Sequence, residues 1–178
     1  MEIHEADLAP GGADEAEILA GLADDIWTEY YTPLIGAEQV AYMLVTIQSA
    51  EWIAQDIGQR GYRYWLAEDQ GKPVAYCGAV VQMDRLFLSK LYVTHDYRGQ
   101  GIGKQFVGIV EQWCREVGLP RIQLTVNKGN TDSIKAYEHL GFTIVDAIVT
   151  DIGGGFVMDD YVMDKPIGVS RPGDEVPA

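Results

Sequence analysis

Residues 91–106 read LYVTHDYRGQGIGKQF, and the rest of the 178-residue chain is best understood outward from them. Leu91, Tyr92 and Val93 close an apolar strand, glycines follow at 99, 101 and 103, and a helical pattern starts at once. Glycines in such a turn admit positive φ and let backbone N–H groups come close to a ligand. At the start of a helix the unpaired N–H groups and the dipole favour an anion, and Arg98 and Lys104 add charge at the two ends of the turn. A pyrophosphate suits the run Arg98, Gly99, Gln100, Gly101, Ile102, Gly103, Lys104, although a plain strand-to-helix connection uses the same residue types. Spacing excludes two familiar phosphate loops. A Walker loop needs Gly where Arg98 stands and Ser or Thr where Gln105 stands, and a dinucleotide GxGxxG started at Gly99 needs its third Gly at Lys104.

Upstream of the turn, apolar residues fall at Leu86 and Leu88 and then at Leu91 and Val93, so the period of two slips by one residue. A β-bulge near Ser89 to Leu91 explains the slip, as does a strand buried on both faces. Earlier still, a short strand is expected near Glu2 to Leu8, helices over 13–32 and 37–60 split by Thr32, Pro33 and Gly36, and a hairpin of 62–68 with 73–83. The helices carry Trp27, Tyr30, Tyr31, Tyr42 and Trp52, which helical spacing assigns mainly to a core. Downstream, a helix from Gly101 to Val117 presents Phe106, Ile109, Val110, Trp113 and Val117 as a core stripe and stops at Gly118 before Pro120. A strand over 121–126, a helix over 131–140 and closing strands over 142–151 and 156–165 complete the pattern. One domain over residues 1–167 is expected, followed by a disordered tail over 168–178 rich in Gly, Pro and acids.

Composition narrows the function classes. Hydrophobic residues make up 47% of the chain and aromatics 10%, a globular balance. No run nears the roughly 20 apolar residues that span a bilayer, and the acidic start lacks a signal-peptide pattern, so a cytoplasmic protein is expected. Cys77 and Cys114 form no CxxC pair, which leaves no metal site to propose and two thiols expected to be reduced, buried and inert. The net charge of −14 disfavours nucleic acid and anionic membranes as partners. That charge is unevenly spread. Residues 85–135 hold 8 basic and 4 acidic residues, while residues 1–60 hold 12 acids against Arg60. One segment is prepared for an anion, and the other either attracts a cation or forms a solvated acidic face.

A second stretch, VNKGNTDSIKAYEHLGF over 126–142, supplies the missing context. Together with Arg98-Gly99-Gln100-Gly101-Ile102-Gly103, its Asn130, Ser133, Tyr137, Gly141 and Phe142 resemble the two central motifs of the GNAT superfamily of acyl-CoA-dependent N-acyltransferases. The resemblance implies an α/β fold: a mixed, mostly antiparallel sheet of about seven strands with about four helices, a bulged fourth strand, and central strands that splay around acetyl-CoA. It implies that the backbone at Leu91, Tyr92 and Val93 pairs with the pantetheine arm, that the amides from Gly99 to Lys104 hold the pyrophosphate, and that Asn130, assisted by Asn127, contacts the cofactor. Tyr137 takes the position of the general acid that protonates the departing thiolate, although in isolation a helix tyrosine packed beside Ile134 and Leu140 reads as core.

The general base is left open. Many relatives have a glutamate on the bulged strand, where this chain has Phe87, Leu88, Ser89 and Lys90; Glu29, Asp84 and His95 are candidates, as is water. The stretches DDIWTEYYTPLIG, AEQVAYML and DDYVMDKPI resemble the bacterial branch that acetylates polyamines, which agrees with the acidic surplus in residues 1–60. On that reading Glu29 and Glu38, with Tyr30 and Tyr31, contribute to a pocket for a small-molecule amine. A homodimer is compatible with the resemblance but specified by no residue pattern. Acetylation of a protein N-terminus or an amino acid, and a non-catalytic acyl-CoA sensor, are the alternatives.

Overall fold

The computed structural model of the chain describes residues 1–8 and 15–168. The expected disordered tail lies outside the described residues from 169 onward. Seven strands form one sheet in the order β1-β2-β3-β4-β5-β7-β6. They are β1 Glu2–Glu5, β2 Tyr62–Asp69, β3 Lys72–Gln82, β4 Arg85–Val93, β5 Arg121–Asn127, β6 Thr143–Gly153 and β7 Phe156–Pro166. Every neighbouring pair is antiparallel except β4 and β5. The mixed α/β sheet expected from the sequence is therefore present.

Among the described residues six α-helices accompany the sheet, where about four were expected: α1 Glu15–Tyr30, α2 Thr32–Ile35, α3 Ala37–Thr46, α4 Ala50–Gln59, α5 Ile102–Glu116 and α6 Thr131–His139. The stretch read as one helix over 37–60 breaks at Ile47, whose φ of −135° leaves the helical region, and restarts at Ser49. Ser49 is an N-cap: its Oγ accepts a hydrogen bond from the Trp52 N–H at 3.2 Å. Such a cap satisfies one of the N–H groups that a helix start leaves unpaired. Ser49→Ala is expected to lower stability by about 1 kcal/mol in urea unfolding, without changing the slope of the transition.

Each face of the sheet covers its own core. On one face α5 seats Ile102, Phe106, Val107, Val110 and Cys114 against Leu86, Leu88, Ile122, Leu124 and Val126. The expected stripe is rotated: Ile109 and Trp113 are only partly buried, and Val117, beyond the last helical turn, is 44% exposed. On the other face α1, α3 and α4 bury Leu19, Ile26, Trp27, Met43 and Ile53 against Tyr64, Leu66 and Tyr76. There Gly78 leaves room for the Tyr64 ring, whose carbon would lie 3.0 Å from an added Cβ. The Tyr64 hydroxyl donates to the buried Asp56, which also pairs with Arg60. Lys90 sits in the same region, and desolvation by burial pushes its ammonium down to about 8.

Two irregularities in β4 set up the functional site. Against β3 the register jumps from Gly78–Lys90 to Ala79–Leu88, so Ser89 is the extra residue of a bulge. Beyond the bulge the sides exchange: Leu91 and Val93 pack toward α5, and Tyr92 toward α1. Against β5, pairing is confined to Leu86–Ile122 and Phe87–Gln123. From there to Val93 the two parallel strands diverge, and β5 offers no partner to the β4 backbone.

Candidate active site

The divergence of β4 and β5 opens a cleft of about 940 Å³. Leu91, Tyr92 and Val93 form its strand wall, the turn from Arg98 to Lys104 its floor, Tyr137 and neighbouring α6 residues a third wall, and Ile26 and Tyr30 of α1, with Tyr31 at the junction to α2, the fourth. All three stretches singled out in the sequence thus meet in one space.

The floor has the geometry expected of an anion site. Gly99 and Gly101 have φ of +75° and +81°, the left-handed region where other residues are strained. Gly101 is the N-cap of α5 and, lacking a side chain, caps nothing. The first intrahelical bond runs from the Gln105 N–H to the Gly101 carbonyl, so the N–H groups of Ile102, Gly103 and Lys104 are left for a ligand. Gly103 lies against the strand wall, where an added Cβ would sit 4.0 Å from Leu91. Gln100 points away, donating from Nε2 to the Asp96 carbonyl at 2.8 Å, and does not line the cleft.

Arg98 ties the floor to α1. Its Nε donates to the Val93 carbonyl at 3.0 Å, its guanidinium lies 4.7 Å over the Tyr30 ring, and Nη2 is 3.8 Å from Glu29. Beside it stands an aromatic group: Trp27 stacks on Tyr31 with centroids 4.4 Å apart, and Tyr92 meets both edge-on. The aromatics read from helical spacing as mainly core are therefore divided, with Trp27 buried and Tyr30 and Tyr31 facing the cleft.

Tyr137 packs its ring edge-on against Phe142, 5.7 Å between centroids, and its hydroxyl bonds to no described residue. Burial raises its pKa, aided by Tyr31 and Cys77, so the phenol keeps its proton throughout the neutral range. Cys77 and Cys114 are free and buried, and burial pushes the Cys77 thiol up as well. A thiol held protonated is a poor nucleophile, which argues against an acyl-cysteine intermediate.

The two asparagines stand behind these walls. Asn130 is 2% exposed and caps α6: its Oδ1 accepts from the Ser133 N–H at 3.2 Å and from the Tyr30 hydroxyl at 2.7 Å, while Nδ2 donates to the Tyr31 hydroxyl at 3.4 Å. Asn127 accepts from the Gly129 N–H at 2.8 Å. Neither lines the cleft, so their direct effect is to fix the β5–α6 loop and the two tyrosines. Glu38 is exposed in the first turn of α3 and also stands apart from the cleft. Of the base candidates, His95 lines the rim, whereas Asp84 pairs with Arg121 at the far end of β4, about 25 to 30 Å away at strand rise. Asp160, which sequence reasoning passed over, is a buried carboxylate whose charge acts on the phenol of Tyr31 in the cleft wall. Desolvation lifts its pKa to about 6, with Asp159 adding to the rise and Lys128 opposing it.

A sheet that opens between two parallel strands, with an uncapped helix start at one end of the opening, defines the structural class. The acetyltransferase (GNAT) family profile matches residues 21–142, and the chain belongs to that family. YjgM of Escherichia coli, an uncharacterized N-acetyltransferase, is 31% identical over 96 residues, covering 52% of this chain and 58% of that protein. Human N-acetyltransferase 8 is 28% identical over 127 residues, covering 68% of this chain and 52% of that protein. The chain thus spans about half the length of these curated relatives. Among solved structures, the PaiA N-acetyltransferase of Thermoplasma acidophilum in complex with coenzyme A superposes with a TM-score of 0.75 and 20% identity, over 93% of this chain and 99% of its own. The ribosomal-protein-S18-alanine N-acetyltransferase of E. coli does so with a TM-score of 0.64 and 20% identity, over 98% and 100%. At such identities these structures share the fold.

Proposed function

We propose that the chain binds acetyl-CoA in the splayed cleft and transfers its acetyl group to the primary amine of a small cationic acceptor, a polyamine in our reading. The observation that carries this is one arrangement: unpaired N–H groups at the start of α5, an unpaired β4 edge, and the unbonded Tyr137 hydroxyl, all lining one elongated space. The amides from Gly99 to Lys104, with Arg98 and Lys104, hold the pyrophosphate. The backbone of Leu91, Tyr92 and Val93 pairs with the pantetheine arm and offers an N–H to the thioester oxygen as it gains charge. Asn130 and Asn127 support the site by holding the loop and the tyrosines beside it.

The amine attacks the thioester carbon directly, forming the C–N bond of a tetrahedral intermediate, and as that intermediate collapses the C–S bond breaks and Tyr137 donates its proton to the departing thiolate. Holding both reactants side by side supplies much of the acceleration. The acidic residues of 1–60, with Tyr30 and Tyr31 at the cleft and Glu29 beside Arg98 at its edge, favour a multiply charged cation as acceptor. Mixing the protein with acetyl-CoA and polyamines, amino acids, aminoglycosides or peptides at matched ionic strength, and following free CoA thiol, tests the reading. Release is expected with polyamines above the other amines. Release confined to peptides would move the acceptor to a protein N-terminus, and tight acetyl-CoA binding with no release would leave a non-catalytic acyl-CoA-binding module.

A further inference from the structure

Behind Tyr31 lies a carboxylate that the chemistry above does not use. Asp160 sits on β7 opposite Asn127, at the last β5–β7 pair, where β5 has already parted from β4. The neighbouring pair, Val126 and Tyr161, packs toward α5, so the alternation of the strand turns Asp160 and Asn127 to the opposite face, where the junction of α1 and α2 places Tyr31. Asp160 is 2% exposed, and its Oδ1 has no hydrogen-bond partner among the described residues. The nearby Lys128 ammonium is paired with Asp159. Tyr31 accepts from Asn130 and donates to no described residue, and the Asp160 charge acts on its phenol.

A buried carboxylate with an unfilled acceptor position is costly unless a donor or cation completes it. Tyr31, on whose phenol this charge acts, lines the cleft as part of an aromatic group, stacked on Trp27 with Tyr92 edge-on, of the kind that attracts ammonium groups. We propose that Asp160 is the carboxylate that draws the acceptor's ammonium group past Tyr31 into the splay and takes its proton. The assignment rests on the acetyl-transfer reading and supplies the base that reading lacks. In the step, one N–H proton of the ammonium passes to an Asp160 oxygen and the freed lone pair forms the C–N bond. The C–S electrons leave with the thiolate, which receives the Tyr137 proton; the amide nitrogen then loses its remaining extra proton to solvent, Asp160 releases its proton to solvent and Tyr137 regains one from it.

The titratable groups that act on Asp160 are Tyr31, at the junction of α1 and α2, and, from the other side of β7, Lys128 of the β5–α6 loop with its partner Asp159. Burial holds its carboxyl near 6, so it is ionised at neutral pH yet more basic than a surface aspartate. Asp160→Asn keeps the shape of the side chain and removes the charge. Its kcat/KM for a reactive amine is expected to fall about a hundredfold, with the acid limb near pH 6 lost. The acetyl-CoA dissociation constant should be unchanged, and the melting temperature at pH 7.5 no lower than that of the wild type. Asp160→Glu should restore an acid limb. A variant Asp160→Asn with wild-type kcat/KM and an intact acid limb overturns the proposal, as does one that loses stability and acetyl-CoA affinity together, which marks a scaffold role. A wild type that binds acetyl-CoA and acetylates no amine removes the transfer reading itself, and this assignment with it.

Discussion

Replacing Tyr137 with phenylalanine will lower kcat about a hundredfold and leave the acetyl-CoA dissociation constant within about twofold of the wild type. The substitution deletes one oxygen that bonds to no described residue, so no hydrogen bond among the described residues is broken. The ring contact with Phe142 remains, and the fold has no reason to respond. What disappears is a proton donor that burial keeps protonated at every working pH. A positioned acid of this kind typically contributes two to four orders of magnitude, and the low end suits a reaction whose leaving thiolate is itself a fair leaving group. Single-turnover release of CoA thiol, with calorimetric titration of acetyl-CoA on the same sample, checks both halves. Equal rates would remove the acid role, and a matched loss of affinity would make Tyr137 a binding residue.

Gly101→Val will weaken acetyl-CoA binding by about tenfold or more, while Gly108→Ala will leave it unchanged and stabilise the fold slightly. Nothing lies within 4 Å of a Cβ added at either position, so neither change meets a steric obstacle. The difference is backbone conformation. Gly101 has φ of +81° at the N-cap of α5, where a side chain costs about 1 to 2 kcal/mol and a β-branched one more. The turn relieves that strain by rotating the peptide units that present N–H groups to the pyrophosphate, and each 1.4 kcal/mol of lost interaction is about tenfold in affinity. Gly108 lies in the helix interior, where alanine is favoured by about 1 kcal/mol. Calorimetry and thermal melting of both variants separate the two effects.

The parts of this structure legible in the sequence are those with local causes. Gly99 and Gly101 announced a left-handed turn because few other residues adopt it. The bulge at Ser89 showed as a slip in apolar period because each strand residue on one side must change sides with it. The break between α3 and α4 was hidden, since residues 46–50 contain no glycine or proline and the Ser49 cap, between Gln48 and Ala50, interrupts no helical pattern. Val117 matched the α5 stripe by spacing but follows the last helical turn, where the stripe no longer meets the sheet. Tyr30 and Tyr31 are consecutive, so periodicity alone does not say which faces the core. In the same way Asp159 and Asp160 place an acid on each side of β7, and only the pairing with Asn127 shows which one is buried near the splay. Asn130 reads in sequence as a ligand contact; the structure gives its amide to the α6 cap and two tyrosines, contacts that bridge about a hundred residues of chain.

The most direct test is a crystal structure of the protein grown with coenzyme A. The account predicts the pyrophosphate against the N–H groups of Gly99 to Lys104, the pantetheine arm along Leu91 to Val93, and the thiol within hydrogen-bond reach of the Tyr137 hydroxyl. Coenzyme A bound elsewhere, or a thiol directed away from Tyr137, would contradict it.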